Sequence, residues 1–361
     1  MTAIQLNDII EKFQIEGQVL SCAPYGDGHI NDTYLLVTTV RKYIMQRINN
    51  RVFCDVDLLM NNIDKVLSHA KRSIIAQGGN PEREAMTLVR TTDGDNFYRD
   101  GNKFYRMYIF IDKTVALNSA RTDADFYESG VAFGKFAGML DGFNTDEIKD
   151  VIPNFHNTEV RFKNFINALE LDKVNRAVKV KDEIDFILAR EEFCSKIVKM
   201  LASGELKWRV THNDTKLNNV LLDEVTGKAV SVIDLDTVMK GSVCYDFGDS
   251  VRFGCSTALE DEEDLDKVHF SLPLFDVYSR GFLGALDGKL LKSETLTMPI
   301  GSMMMTLECG IRFLTDYLDG DNYFKVSKND HNLHRCRTQF KLVSEMEQNY
   351  DEMLKLVERF V

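Results

Sequence analysis

One stretch, THNDTKLNNVLLDEVTGKAVSVIDLDT at residues 211 to 237, restricts the folding of this chain more than any other. Leu217 to Leu222 reads as a strand, DEVTGK as a turn in which Gly227 can take a positive φ, and Ala229 to Ile233 as the returning strand. Antiparallel pairing of Leu222 with Val230 places Asn219 opposite Ile233 and Asn218 opposite Asp234. Asp234 is therefore expected beside Asn219.

The loop that feeds this ribbon carries His212, Asp214, Lys216 and Asn219. Taken singly these residues have plain explanations, because Asn and Asp favour loops and a lone His is more often packed than catalytic. Their H-x-D-x-K-x-x-N spacing, directly before a strand, is that of a phosphotransferase catalytic loop, in which Asp receives the proton of a substrate hydroxyl and Asn ligates magnesium. Asp234 and Asn219 then converge on one magnesium ion, completed by waters and the phosphate oxygens of ATP. Asp236 serves either as a second contact to the metal or as a stabiliser of the turn.

A second triplet, Asp246-Phe247-Gly248, spells the metal-binding sequence of protein kinases, but nothing in the ribbon register brings it back to the loop. YDFGDSVRF reads instead as the start of a helix, with Asp246 buried and accepting backbone hydrogen bonds that brace the catalytic loop.

Residues 4 to 13 form an amphipathic pattern, followed by two alternating segments around a glycine-containing turn and a third strand, RKYIMQRI. Apolar residues recur at helical spacing over 57 to 71, and AMTLVRT and FYRMYIFI read as two more strands. From about residue 122 the pattern turns helical, with DEIDFILAREEFCSKIVKML read as one long run and HRCRTQFKLVSEMEQNYDEMLKLVERF as another. The fold class is α+β, with a strand-rich nucleotide-binding lobe over 1–110 and a helical catalytic and substrate-binding lobe over 111–361.

A formal charge of −12 disfavours nucleic acid or an anionic membrane as the main partner. Seven cysteines without a C-x-x-C pair fit reduced thiols in a cytoplasm, and His331 and His334, with no Cys at ligand spacing, read as surface histidines. The amino terminus shows no signal peptide, and no stretch reaches membrane-spanning length.

The order of VIDLD after the hairpin, with no A-P-E signature, resembles the aminoglycoside phosphotransferase and choline kinase superfamily of small-molecule kinases. Within it, YGDGHINDTYLL, YIMQRIN, GGNPERE, FYRMYIFI, THNDTKLNNVLLD, VIDLDTVMKGSVCYDFGDSVRFG and ECGIRFLTDYLDGDNYFKV are together similar to the N-acetylhexosamine 1-kinase family over nearly the whole chain. The resemblance implies a bilobal protein-kinase-like fold and a sugar acceptor, with Asp214 as base and sugar-hydroxyl ligand and with Arg312, Tyr323 and His29 holding the sugar. Gly26, Gly28 and Asn31 of the first turn would lie over ATP phosphates, although an ordinary hairpin turn accounts for the two glycines equally well. On the third strand, where relatives carry a cation, the chain offers Gln46 with Arg47 on the opposite face, and Arg47 is the favoured phosphate contact. The 57 to 71 helix contains no Glu to pair with such a cation. Without the resemblance, Arg312 reads as an intrahelical ion pair with Glu308 or Asp316.

Overall fold

The computed structural model describes residues 3–26 and 30–361, and the chain divides into two compact units. The first comprises Met1–Ala116, Gly142–Pro153 and Val220–Met239, and the second Leu117–Asp141, Asn154–Asn219 and Lys240–Val361.

The first unit is built on an antiparallel sheet of β1 (Val19–Pro24), β2 (Asp32–Thr38), β3 (Lys42–Ile48), β4 (Tyr98–Asp100) and β5 (Lys103–Ile109), in the order β1-β2-β3-β5-β4. Helix α1 (Ala3–Ile10) covers one face: Leu6, Ile9 and Ile10 pack with Leu36, Tyr43, Met45, Tyr105 and Met107 in one core. The expected strand AMTLVRT is instead an extended segment joined to β5 by a single bridge, Leu88 to Tyr108, and β4 takes the edge of the sheet. Helix α2 (Val56–Ala76) starts where Asp55 accepts the Leu58 amide, and it buries Leu59, Ile63, Val66, Leu67 and Ala70 as their spacing requires. A short α3 (Pro81–Glu84) follows.

A second, three-stranded sheet in this unit joins β6 (Thr114–Val115) to the ribbon. Strand β7 (Arg209–Thr211) precedes the loop that carries His212 to Asn219, and the ribbon itself consists of β8 (Val220–Asp223) and β9 (Ala229–Val232), with Gly227 at φ 67 in its turn. Val220 opposes Val232 and Leu221 opposes Ser231, the expected register, before a bulge sets Leu222 against Ala229 in place of Val230.

The second unit is helical. It holds α4 (Asp123–Met139), α5 (Thr158–Leu171), α6 (Lys181–Leu188), α7 (Glu191–Cys194), α8 (Lys196–Ser203), α9 (Val243–Gly254), α10 (Leu272–Leu286), α11 (Lys292–Asp319), α12 (His331–Gln348) and α13 (Tyr350–Glu358), with α5, α7, α9, α12 and α13 packed on α11, whose middle is almost wholly buried. The run expected as one helix over 182–201 breaks into α6, α7 and α8. The closing run breaks at Asn349, whose side chain and backbone amide both donate to the Glu345 carbonyl. Helices α9 and α11 cross at Gly248 and Gly301, where a methyl on Gly248 would overlap the Gly301 carbonyl. The glycine of the Asp-Phe-Gly triplet is thus a helix-crossing residue. His331 is buried, not at the surface, and bonds Asp261. All seven cysteines are free, and among the described residues no helix is long and apolar enough to cross a membrane.

Candidate active site

In the second unit, β7 leads into a loop held on almost every backbone group. His212 is fully buried, its ring edge-on to Phe133 and Phe136, and its Nδ1 accepts the Asp214 amide at 3.3 Å. Asn213 sits in the left-handed region at φ 64, an uncommon conformation for a non-glycine residue. Asp246, on the first turn of α9, holds this bend: its carboxylate accepts the His212 amide at 2.8 Å and the Asn213 amide at 2.7 Å. Burial pushes the Asp246 carboxyl up, against the pull of His212 and the two amides. Thr215 is tied by its hydroxyl to the Asp246 carbonyl at 2.6 Å and by its amide to Asp249 at 3.1 Å.

Between these anchors the Asp214 side chain remains 27% exposed. Lys216 Nζ lies 2.8 Å from its Oδ1, and Asn219 Nδ2 donates to its Oδ2 at 3.1 Å and to its carbonyl at 2.8 Å. Leu217–Asn219 form a single 3-10 turn, not the start of the strand, and this turn aims the Asn219 amide nitrogen back at Asp214.

In the first unit the ladder ends at Val232, and Asp234 takes a left-handed conformation at φ 63. Asp236 is buried, and both its oxygens are committed: Arg106 grips it through two nitrogens, Nη2 to Oδ2 at 2.9 Å, while Asn31 Nδ2 donates to Oδ2 at 2.7 Å. Asp236 thereby ties the turn after the ribbon to β5 and to Asn31. Asn31 is committed at both ends, its Oδ1 accepting the Asn49 amide at 2.9 Å.

Arg106 is the residue that reading the sequence missed. It stands opposite Gln46 in the β3–β5 register and donates to Gln46 Oε1 at 3.0 Å, so β5 supplies the buried cation that β3 lacks. Burial opposes its charge, but Asp236 and the more distant Asp234 keep the guanidinium above its usual range. A register drawn from YIMQRI and FYRMYI would have found this cross-strand pair. Arg47, on the other face of β3, is 40% exposed and pairs with Asp32 at 2.6 Å. The polar residue that α2 turns inward is Asn62, which donates to the Lys149 carbonyl at 2.7 Å, where a Glu was sought. Gly26 has φ 74 in the first turn; Gly28 and His29 lie outside the described residues.

On α11 the intrahelical ion pair does not form. Glu308 receives His156 at 2.9 Å and the Thr158 hydroxyl at 2.6 Å, and Asp316 receives the amides of Asn322, Tyr323 and Phe324 and the side chain of Asn332. Arg312 has no carboxylate partner among the described residues and lies 5.9 Å from the Tyr323 ring and 5.4 Å from that of Phe324. Asp316 therefore fixes the loop that presents Tyr323, itself 74% exposed, near Arg312.

Solved structures with this fold include an aminoglycoside phosphotransferase from Alicyclobacillus acidocaldarius subsp. acidocaldarius (TM-score 0.60, 12% identity, covering 98% of this chain and 96% of that one). A choline kinase from Cryptosporidium parvum is similar at TM-score 0.58 and 14% identity, covering 99% of each chain. A spectinomycin phosphotransferase solved with ADP and spectinomycin matches at TM-score 0.51 and 13% identity, covering 100% of this chain and 98% of that one. At such identities the likeness establishes the fold. The APH phosphotransferase enzyme family matches residues 21–279, most of the chain, and the protein belongs to that family.

Proposed function

We propose that the protein transfers the γ-phosphoryl group of MgATP to the anomeric C1 hydroxyl of an N-acetylhexosamine, giving the hexosamine 1-phosphate and ADP. The observation that carries the choice of acceptor is Arg312, a cation whose two helical neighbours Glu308 and Asp316 are both committed elsewhere. An acceptor rich in hydroxyl and carbonyl oxygens suits such a guanidinium. Choline or an aminoglycoside is cationic and calls for carboxylates or an aromatic cage, so an unneutralised Arg beside it is repulsive.

Asp214 would orient the acceptor hydroxyl and receive its proton, with Lys216 and Asn219 fixing the carboxylate. Magnesium would be held by the Asn219 amide oxygen and the Asp234 carboxylate, hard oxygen donors of the kind this ion prefers, and would neutralise charge on the transferring phosphate. The amide nitrogen of Asn219 is committed to Asp214, which supports this use of its oxygen. A loose phosphoryl transition state asks for alignment and charge neutralisation more than covalent help, and a loop pinned by Asp246 and Asp249 supplies the alignment. Arg47 remains an exposed cation of β3 on offer to ATP phosphates, while the buried Arg106 acts through Asp236.

The test is ADP release from MgATP with a panel of N-acetylglucosamine, N-acetylgalactosamine, unmodified hexoses, choline and an aminoglycoside. The N-acetylhexosamines should give kcat/KM at least about a hundredfold above the cationic acceptors, a difference of roughly 2.7 kcal/mol in transition-state binding. Preferred turnover of choline or the aminoglycoside would overturn the reading.

A further inference from the structure

His156 has no place in the catalytic motif, and it is buried directly beneath it. Its Nδ1 lies 2.9 Å from Glu308 Oε1 and its Nε2 lies 3.1 Å from the carbonyl oxygen of Asn213, the residue before Asp214. A peptide carbonyl can only accept a hydrogen bond. The Glu308 carboxylate also receives the Thr158 hydroxyl, on its other oxygen, and as a carboxylate it too only accepts. A neutral imidazole has one N–H and can satisfy one of these acceptors; both bonds together require two.

We propose that His156 is a positioning residue of the catalytic loop, held as an imidazolium that donates one N–H to Glu308 and the other to the Asn213 carbonyl. With Asp246 on the Asn213 amide and His156 on its carbonyl, the left-handed residue is pinned at both ends, and the direction of the Asp214 peptide follows from it. Glu308 and Arg312 lie one turn apart on α11, so the helix that anchors the imidazolium also carries the guanidinium assigned to the acceptor.

The surroundings favour the charge. Glu308 on α11 and Asp249 on α9 raise the imidazole above its ordinary value of 6.5 against the opposing effect of burial, and Asp246 faces it from the same helix. Glu308 is held low despite its own burial, chiefly by the His156 hydrogen bond and charge, with Thr158 and Arg312 contributing. Arg161 on α5 also acts on Glu308, and the Tyr245 ring packs 5.5 Å from the imidazole. Because the folded value lies above the unfolded one, the stabilisation is fully present below about pH 6.5 and is lost as pH rises through the raised folded value.

The proposal rests on Asp214 being the base, and its test is separable from the acceptor assignment. Nitrogen-15 NMR of histidine-labelled protein without substrates, with His156 identified through its contacts to the Phe155 and Tyr245 rings, reads the protonation of each ring nitrogen. Both nitrogens of His156 should be protonated at pH 7, where exposed histidines are mostly neutral; a singly protonated ring at pH 7 overturns the proposal. His156→Gln and Glu308→Gln should lower kcat, measured with whichever acceptor of the panel turns over fastest, by about a hundredfold through misplacement of Asp214, with KM for ATP within about threefold of its original value. Unchanged kcat in a folded variant also overturns it. Should His156→Gln fail to fold, the ring state of the unaltered protein and the Glu308→Gln kinetics still decide.

Discussion

Arg106 and Asp236 show how one residue choice redirects a whole polar network. The third strand carries Gln46 where a cation was sought, α2 carries Asn62 where a carboxylate was sought, and the charge pair reappears one strand over and at the end of the hairpin. Both partners are almost fully buried, 1% and 5% exposed, so removing either leaves the other as an uncompensated charge. Arg106→Gln or Asp236→Asn alone should destabilise the protein by about 3–5 kcal/mol, whereas the double variant should recover a large part of that loss. Denaturant unfolding of the four proteins measures the coupling, and strictly additive losses would contradict an ion pair of this kind.

The grouping of the three side chains proposed for catalysis was legible because it is encoded by local spacing. Asp214, Lys216 and Asn219 lie within six positions of one another, and the structure brings their side chains into contact. Arg106 and His156 were not legible for the opposite reason. Their partners are 130 and 152 residues away in sequence, and only the packing of separate elements reveals them.

At the scale of elements, the ribbon and α9 carry the lesson most clearly. Alternation with period two and a turn with glycine specified the β8–β9 register for two pairs, because a one-residue slip would turn Val220 and Val232 out of the core. The bulge at Leu222 escaped such reasoning, since no side-chain pattern announces an extra residue. Likewise the breaks between α6, α7 and α8 interrupt a continuous helical periodicity that tertiary packing overrides. Strand propensity in AMTLVRT failed for a related reason: the segment lies along β5 but pairs with it at one bridge only.

The Asp-Phe-Gly triplet gives the sharpest contrast between spelling and element. In α9 its Asp accepts backbone amides, its Phe is buried against Phe275, Tyr278 and Phe282, and its Gly permits the crossing with α11. Gly→Ala in an open helix normally stabilises by about 1 kcal/mol. Gly248→Ala should instead destabilise by about 1–3 kcal/mol, because the methyl meets the Gly301 backbone, which cannot move aside as a flexible side chain would. A melting temperature lowered by several degrees is the expected readout, and a raised one would contradict the crossing.

For the molecule as a whole, the strand-rich and helical parts follow the change of hydrophobic period near residue 122, while the exchange of segments between the two compact units does not. Gly142–Pro153 and Val220–Met239 join the first unit from deep within the helical half of the sequence. Such exchange is set by long-range contacts, Asn62 with the Lys149 backbone and Arg106 with Asp236 among them. The net charge of −12 bears on partners and solubility and leaves the fold undetermined.

The central claim is phosphoryl transfer from MgATP to the anomeric oxygen of an N-acetylhexosamine with Asp214 as base. Phosphorus NMR of the product formed from N-acetylglucosamine tests it most directly, since the phosphorus–proton coupling identifies the carbon that carries the new phosphate. A signal coupled to the anomeric proton, absent when the enzyme carries Asp214→Asn, is the predicted result. Phosphate on carbon 6, or undiminished product from the Asp214→Asn enzyme, would contradict the account.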